Sequence, residues 1–187
     1  KKDTRQLQIN LIRSHACGVG APLSEEIVRA MMLLRINALS KGYSGVRLET
    51  LQDLIDMLNK GVHPIVPEKG SLGSSGDLAP LSHMVLTMLG EGEAIYKGAR
   101  MDSKDAMEKA GIKPLEYLSS KEGLSLNNGT QCMTAVGAIT VYDAINLMKT
   151  ADIALGLTME GLNGITCAMD ERVHLVRPHK DRKSTRL

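Results

Sequence analysis

The sequence has almost no aromatic side chains. It contains no tryptophan, no phenylalanine and only four tyrosines among 187 residues. A core of stacked rings is therefore excluded, and Leu, Ile, Val and the 11 methionines must fill the interior. Methionine adapts to irregular gaps, so methionine-rich helices are typical of plain core rather than of a cofactor site. A single domain of this length can bury a sizeable core.

Cysteine pairs with metal-ligand spacing are also missing. Cys17, Cys132 and Cys167 are an odd number, and none belongs to a Cys-x-x-Cys motif. This pattern argues against a metal cluster and against a secreted disulfide framework, and no signal peptide is visible. Reduced thiols in the cytoplasm are the expected state.

A large excess of charge of either sign is missing as well, because the net charge is only +2. Five Lys/Arg and one Asp from Val173 onward give that end +4, so the preceding residues carry −2. With a net charge of −2, the residues before Val173 give no electrostatic reason to expect a nucleic-acid partner. The basic end is interpreted as a solvated tail. Three charged residues interrupt the longest apolar run, 130–158, so no membrane partner is expected. They are Asp143, Lys149 and Asp152.

The hydrophobic periodicity is helical almost throughout. Ser24, followed by two glutamates, is typical of a helix N-terminus, and Ile27, Met31, Leu34 and Ala38 then share one helix face. The run 130–158 predicts a buried helix in a bundle. Further helices are predicted over 48–58, 78–89 and 106–111, and a hairpin over 94–101 that turns at Lys97-Gly98. The sequence therefore predicts a mainly α protein with one short β-hairpin.

The most informative segment is 70–81, which reads GSLGSSGDLAPL. Six of its twelve residues are Gly or Ser, a composition typical of flexible linkers, but a linker rarely leads directly into a strongly apolar helix. An anion cradle at the helix N-terminus is a second interpretation, although neither nucleotide-binding glycine motif is present. In the third interpretation, the backbone of Ser74-Ser75-Gly76 itself becomes the reagent.

This segment resembles the signature of the aromatic amino acid ammonia-lyases, which act on histidine, phenylalanine or tyrosine. In that family an Ala-Ser-Gly tripeptide cyclises and dehydrates to a methylidene-imidazolone (MIO), so no external cofactor is needed. The resemblance implies that Ser75 supplies the methylidene, Gly76 the attacking nitrogen and Ser74 the carbonyl carbon. Ser74 stands where alanine is typical, but its side chain stays outside the ring, and closure is still expected. Asp77 is expected to support the MIO loop and to cap the next helix.

The resemblance extends from about residue 5 to about residue 180. Several separate segments match in the family's order and approximate spacing, which makes the signal far more specific than one loop. They are 13–20, 41–47, 121–124, 128–131, 171–174 and 177–179.

Two further site positions are implied by this resemblance. The pair Ser14-His15 lies where family members differ by substrate, and it looks like the histidine-specific type, because an imidazole there can hydrogen-bond a substrate imidazole. A lone histidine is otherwise usually a structural hydrogen-bonding group. Asn128 is implied to lie near the MIO ring and the substrate, where its amide can donate to a developing anion. The alternative for Asn128 is a cap on the long helix, and Asn127 is assigned no role.

The implied function is elimination of ammonia from L-histidine to give urocanate, in a homotetramer. The alternatives are a phenylalanine or tyrosine ammonia-lyase, an aminomutase with the same prosthetic group, and a non-catalytic helical scaffold. Because the family's chains are much longer, residues 1–180 are expected to be one helical domain of a longer chain, inactive alone, with the helical-bundle fold of the aspartase/fumarase type. Residues 181–187 depart from the family pattern and are expected to be a non-native or disordered tail.

Overall fold

A computed structural model describes residues 2–72, 78–176 and 178. Helices predominate, as predicted, and they are α1 (Lys2–His15), α2 (Glu25–Leu39), α3 (Leu48–Lys60), α4 (Leu78–Met88), α5 (Ser103–Lys109), α6 (Glu122–Asn127), α7 (Gln131–Gly161) and α8 (Glu171–Leu175). The strands are β1 (Val19–Pro22), β2 (Val62–Pro64), β3 (Pro67–Lys69), β4 (Glu93–Tyr96) and β5 (Ala99–Asp102).

Local chemistry sets several of these boundaries. The Ser24 hydroxyl accepts a hydrogen bond from the backbone N–H of Ile27 at 3.4 Å, so α2 begins with the predicted cap. The predicted hairpin is confirmed as β4 and β5. Its turn residues Lys97 and Gly98 have φ values of 49° and 78°, and two positive φ values in succession are typical of the type I′ turn that matches the twist of a hairpin.

The strands form two small antiparallel sheets. One pairs β1 with β3, and the other has the order β2-β4-β5. Only the hairpin was predicted from the sequence, since strands of three or four residues are too short to show a period-two pattern. The β1–β3 pair matters most for the site, because it joins the end of α1 to the start of the signature segment.

The core is rich in methionine, as the composition predicts. Six methionines are fully buried, namely Met31, Met32, Met57, Met84, Met88 and Met107. The predicted apolar face of α2 is only partly right, since its most buried stripe also includes Val28, Arg35 and Leu39. A charged residue therefore occupies a core position of α2.

The chain divides into two compact units, Lys1–Thr140 and Val141–Leu187. The boundary lies within α7, and the predicted extent of one domain over 1–180 stays a prediction. The expectation that α7 is a buried helix is wrong for this structure, in which Cys132 and Ala135 are its buried residues. An apolar side chain is buried only where another surface packs against it. Large apolar residues of α7 between 141 and 157 are exposed. None of the described helices has the length and hydropathy needed to cross a membrane.

Candidate functional site

The central part of the signature lies outside the described residues. This applies to Ser74, Ser75 and Gly76, the residues predicted to form MIO, and to Asp77. The structure describes what flanks them. Before them in the chain lies Leu72, which is 84% exposed. After them, α4 begins at Leu78. The arrangement of residues around these two ends defines the candidate site.

The β1–β3 pair holds the leading end of the signature next to the end of α1. Val19 pairs with Lys69, directly before Gly70. A Cβ atom added to Gly70 would lie 3.1 Å from the Cα of Gly18 and 3.1 Å from the Cβ of Ala79. Contacts this short are tighter than most Cβ atoms make and favour glycine, so the start of the segment is packed closely against both the β1 end and α4.

His83 on α4 fastens the same junction. Its Nε2 atom accepts a hydrogen bond from the backbone N–H of Gly18 at 3.1 Å, which requires an unprotonated Nε2. Burial lowers the pKa of His83, and a lowered pKa favours this neutral form. This hydrogen bond gives His83 a structural role at the junction of β1 and α4.

His15 and Ser14 lie in the last turn of α1, close to this junction. The Nδ1 atom of His15 is 2.8 Å from the carbonyl oxygen of Leu11, and the Ser14 hydroxyl donates to the same carbonyl at 2.9 Å. The hydroxyl is also 3.0 Å from Nδ1. When Nδ1–H donates to Leu11, Nε2 is the ring nitrogen that can accept a hydrogen bond from another molecule. His15 is half-buried and Ser14 is exposed.

Asn128 ends α6, which packs against both α1 and α4. Its backbone N–H donates to the carbonyl of Leu124 at 3.0 Å, and its backbone is extended, with φ −94° and ψ 109°. Because α7 begins only at Gln131, the structure does not support the alternative that Asn128 caps the long helix. Asn128 is exposed, so its side-chain amide is accessible to another molecule.

Asn127 differs sharply from its neighbour. It is fully buried, and its Nδ2 atom donates to the Ser82 hydroxyl on α4 at 3.2 Å. Its Oδ1 atom has no hydrogen-bond partner among the described residues. An unpaired acceptor in a buried position is costly, and this one lies on the helix that carries Asn128.

Arg35 is a functional candidate that the sequence analysis missed. It is 4% exposed, and it donates from Nη1 to Oε1 of Gln131 at 2.8 Å and from Nη2 to the carbonyl oxygen of Ser125. Its two acceptors lie on either side of Asn128 in the sequence, so this guanidinium joins α6 to the start of α7. Burial lowers the pKa of Arg35 to about 10. The only signal in the sequence is that Arg35 follows Val28 and Met31 at helical spacing.

Glu122 holds the other end of α6. Its buried carboxylate accepts hydrogen bonds from the backbone and side chain of Arg47, from the Thr50 hydroxyl and from the backbone N–H of Ser119, at 2.6 to 3.1 Å. Burial alone would raise the pKa of Glu122, but these hydrogen bonds outweigh it and the pKa is lowered. The helix that ends in Asn128 is thus anchored at both ends by buried charged groups.

Two of the predicted regions lie on neighbouring helices. The end of α1, with Ser14 and His15, and the end of α6, with Asn128, belong to helices that pack against each other and against α4. No group of three His, Cys, Asp or Glu side chains within 2–72, 78–176 and 178 is arranged to hold a metal ion.

Comparison with known proteins gives consistent matches. A family model described as aromatic amino acid lyase matches residues 1–185. Histidine ammonia-lyase of Alkaliphilus oremlandii (strain OhILAs) is 70% identical over 179 residues, which cover 96% of this chain and 35% of that relative. Histidine ammonia-lyase of Alkaliphilus metalliredigens (strain QYMF) is 66% identical over 185 residues, which cover 99% of this chain and 36% of that relative. The chain thus spans about a third of the length of the curated relatives it matches.

Solved structures show the same fold. The crystal structure of histidine ammonia-lyase from Trypanosoma cruzi matches with a TM-score of 0.87 and 42% identity, over 96% of this chain and 35% of that chain. Pantoea agglomerans phenylalanine aminomutase matches with a TM-score of 0.84 and 40% identity, over 94% of this chain and 33% of that chain. The mainly helical fold predicted from the sequence is confirmed.

Proposed function

Because this chain belongs to the aromatic amino acid lyase family, we propose that the full-length protein containing it eliminates ammonia from L-histidine to form urocanate. The observation that carries this proposal is the identity of 66–70% to two histidine ammonia-lyases over nearly the whole chain. The pair Ser14-His15 supports the same substrate, since the Nε2 atom of His15 can hydrogen-bond an imidazole.

The surroundings of the signature segment fit the MIO group that the family uses. The glycine contact between Gly18 and Gly70 ties the leading end of the segment to β1, and α4 follows its other end. The hydrogen bond from Nδ2 of Asn127 to the Ser82 hydroxyl holds α4, which follows the segment, against α6. When formed from Ser74-Ser75-Gly76, MIO would supply an electron-poor carbon that makes the amino nitrogen a better leaving group.

The chain's own side chains have two roles in this proposal. His15 binds and orients the substrate imidazole through Nε2, because Nδ1 is held by the carbonyl of Leu11. The exposed amide of Asn128 donates to the substrate carboxylate or to negative charge that develops during elimination. Arg35 and Glu122 fix the helix that carries this amide.

The mass of the signature peptide tests the prosthetic group. Ring closure and dehydration remove two waters, so a peptide spanning Ser71 to His83 of the full-length protein is expected to be ~36 Da lighter than its sequence. Ser75→Ala removes the hydroxyl that must leave, and this variant should lack the dehydration. Ser74→Ala restores the tripeptide typical of the family and should keep the full deficit. A normal mass in the unsubstituted protein would favour the scaffold alternative.

Turnover tests the reaction and its substrate. The full-length protein is expected to convert histidine to an unsaturated acid that absorbs in the ultraviolet, with far slower turnover of phenylalanine and tyrosine. Ser75→Ala should abolish this, whereas Ser40→Ala, at the exposed end of α2, serves as the matched control. A β-amino acid as the product would identify an aminomutase. Equal turnover of all three amino acids would contradict the substrate assignment.

We further propose that the full-length protein acts in the cytoplasm as a homotetramer. The support for assembly is the exposed apolar surface of α7, which includes Val141, Tyr142, Leu147 and Leu157, because large exposed apolar patches mark interaction surfaces. The support for the compartment is that Cys17 and Cys167 are exposed cysteines outside any disulfide, as is expected of thiols in a reducing compartment. Light scattering of the purified full-length protein should give four times the chain mass, and a monomer would contradict the assembly.

A further inference from the structure

Asn127 and Ser82 form a side-chain hydrogen bond between two helices of the proposed site. Asn127 is the last residue of α6, directly before Asn128, and Ser82 lies in the second turn of α4, which follows the signature segment. Both side chains are fully buried, and Nδ2 of Asn127 donates to the Ser82 hydroxyl at 3.2 Å. The sequence analysis assigns neither residue a role in the reaction.

This polar pair lies among apolar neighbours. Leu81 and Met84 on α4 and Leu126 on α6 are fully buried, and α4 packs against α6. Apolar contacts have no direction, so they permit small shifts of one helix along the other. A buried hydrogen bond forms in one arrangement only, and its loss leaves polar groups unpaired. The bond from Asn127 to Ser82 therefore fixes how α6 lies along α4.

Two other buried polar groups hold α6, but they do so through different parts of the chain. Arg35 joins α6 to the start of α7, and Glu122 joins it to Arg47 and Thr50 at the start of α3. None of these partners lies on α4. The bond from Asn127 is thus a separate constraint, which relates the end of α6 to the helix after the signature segment.

The arrangement has a cost in stability. Oδ1 of Asn127 has no hydrogen-bond partner among the described residues, and an unpaired buried acceptor lowers the free energy of unfolding. An aliphatic side chain would avoid this cost, because the Ser82 hydroxyl could then donate to a backbone carbonyl one turn earlier in α4. Polar groups that are kept against stability are typical of functional sites.

We propose that Asn127 is a positioning residue, which holds the amide of Asn128 in its working position through the hydrogen bond to Ser82. The two asparagines are adjacent, so fixing the side chain of Asn127 on α4 also fixes the backbone from which the exposed Asn128 amide extends. This role rests on the proposed lyase function. Asn127 itself is fully buried and does not contact the substrate.

Turnover by the full-length protein tests this role. Asn127→Leu and Ser82→Ala each break the bond, and each is expected to lower kcat at least about tenfold, because a small displacement of Asn128 weakens its contact in the transition state. KM should change less than about threefold. The double variant should be no slower than the slower single variant, since both changes remove the same contact. Asn59→Leu and Ser40→Ala, matched changes at exposed positions, should alter neither constant.

Two further measurements separate positioning from a merely structural role. Asn127→Leu removes the unpaired acceptor, so its free energy of unfolding in urea should be no lower than that of the unsubstituted protein. The signature peptide of this variant should keep the deficit of ~36 Da that indicates a complete prosthetic group. A variant that is stable, carries the group and is still slow has lost the position of the amide.

The rates are compared with whichever of histidine, phenylalanine and tyrosine the unsubstituted protein converts fastest, so the substrate assignment does not affect the test. Unchanged kcat in either single variant, a further loss in the double variant, or a loss of turnover explained by lowered stability of Asn127→Leu would overturn the positioning role and leave the proposed function intact. An unsubstituted protein that converts none of the three would overturn the proposed function, and this role with it.

Discussion

Two buried carboxyl groups in this molecule have opposite surroundings. Glu122, at the start of α6, is fully buried and accepts hydrogen bonds from Arg47, Thr50 and Ser119. Asp53, in α3, is also almost fully buried, but its Oδ2 atom lacks a partner among the described residues and Asp56 is close by. The pKa of Glu122 is lowered and that of Asp53 is raised to about 7. Burial alone therefore does not set the charge state, because the available donors decide it.

The two groups link stability to pH in opposite directions. For Glu122, the lowered pKa means that its stabilising contribution is present above the unfolded pKa and is lost as the pH falls through the folded one. For Asp53, the folded protein holds a proton that the unfolded chain releases near pH 3.8, so stability falls as the pH rises from about 4 to about 7. Four substitutions test this contrast.

The largest effect is expected from Glu122→Gln. The neutral amide presents an NH₂ group where the carboxylate accepts N–H donors, and Arg47 loses its counter-charge. Breaking a buried ion pair typically costs about 3–5 kcal/mol of the free energy of unfolding. Urea unfolding at pH 7 measures this loss. Glu116→Gln, an exposed matched change, should leave the free energy of unfolding almost unchanged, and equal effects of the two variants would contradict the comparison.

Asp53→Asn should have the opposite sign. At pH 8 the substitution removes the cost of a buried charge, and the pKa rise from 3.8 to about 7 sets an upper limit of about 4 kcal/mol of added stability. At pH 4 both proteins carry a neutral group there, so the difference should vanish. Unfolding curves at the two pH values check the prediction. Stabilisation that is the same at both values would show that ionisation of Asp53 is not its cause.

Arg35→Met tests a buried charge with incomplete pairing. The side chain makes two hydrogen bonds, but its Nε atom has no described partner. Because the carbonyl of Ser125 and the amide oxygen of Gln131 would lose their donors, we expect a loss of about 2 kcal/mol in the free energy of unfolding.

Turnover of histidine by the full-length protein provides the second measurement for Arg35→Met. If Arg35 holds the α6–α7 connection around Asn128, kcat should fall more than KM rises, while the matched exposed change Arg172→Met alters neither. Unchanged kcat with lowered stability would show that Arg35 acts on folding only.

The smallest effect is expected from Arg13→Gln. Arg13 donates to Glu91 at 2.6 Å, and both side chains are substantially exposed, at 53% and 34%. Solvent screens such a pair, so its loss should cost about 0.5 kcal/mol or less and still less at high salt. Unfolding in low and high salt measures this, and a cost comparable to that of Glu122→Gln would refute the role assigned to burial.

The sequence predicted the elements whose signals are local. The cap at Ser24, the turn at Lys97-Gly98 and the helix after Asp77 each depend on neighbouring residues, and the structure has helices or strands at the predicted positions. The family was likewise predicted from contiguous motifs. The MIO-forming residues, Ser74 to Gly76, remain a prediction because they lie outside the described residues.

The missed features depend on residues that are distant in the sequence. Nothing near Arg35 or Glu122 in the sequence shows that each is buried against hydrogen-bond partners from distant segments. Charged residues are usually exposed, so hydrophobic patterning assigns both to the surface. The β1–β3 pair was missed for the same reason, since neither short strand has a signal of its own. Prediction succeeded where a few adjacent residues decide the structure and failed where tertiary contacts decide it.

The pairing of β1 with β3 also has a consequence for biosynthesis. Pro22 and its partner Pro67 are about 45 residues apart in the sequence, and ribosomes add about 5–20 residues per second. For roughly 2 to 9 s the nascent chain exposes the first strand before its complement has been translated. The junction at Gly18 is therefore assembled late, and chaperones that bind unpaired strands can act on the first strand during that interval.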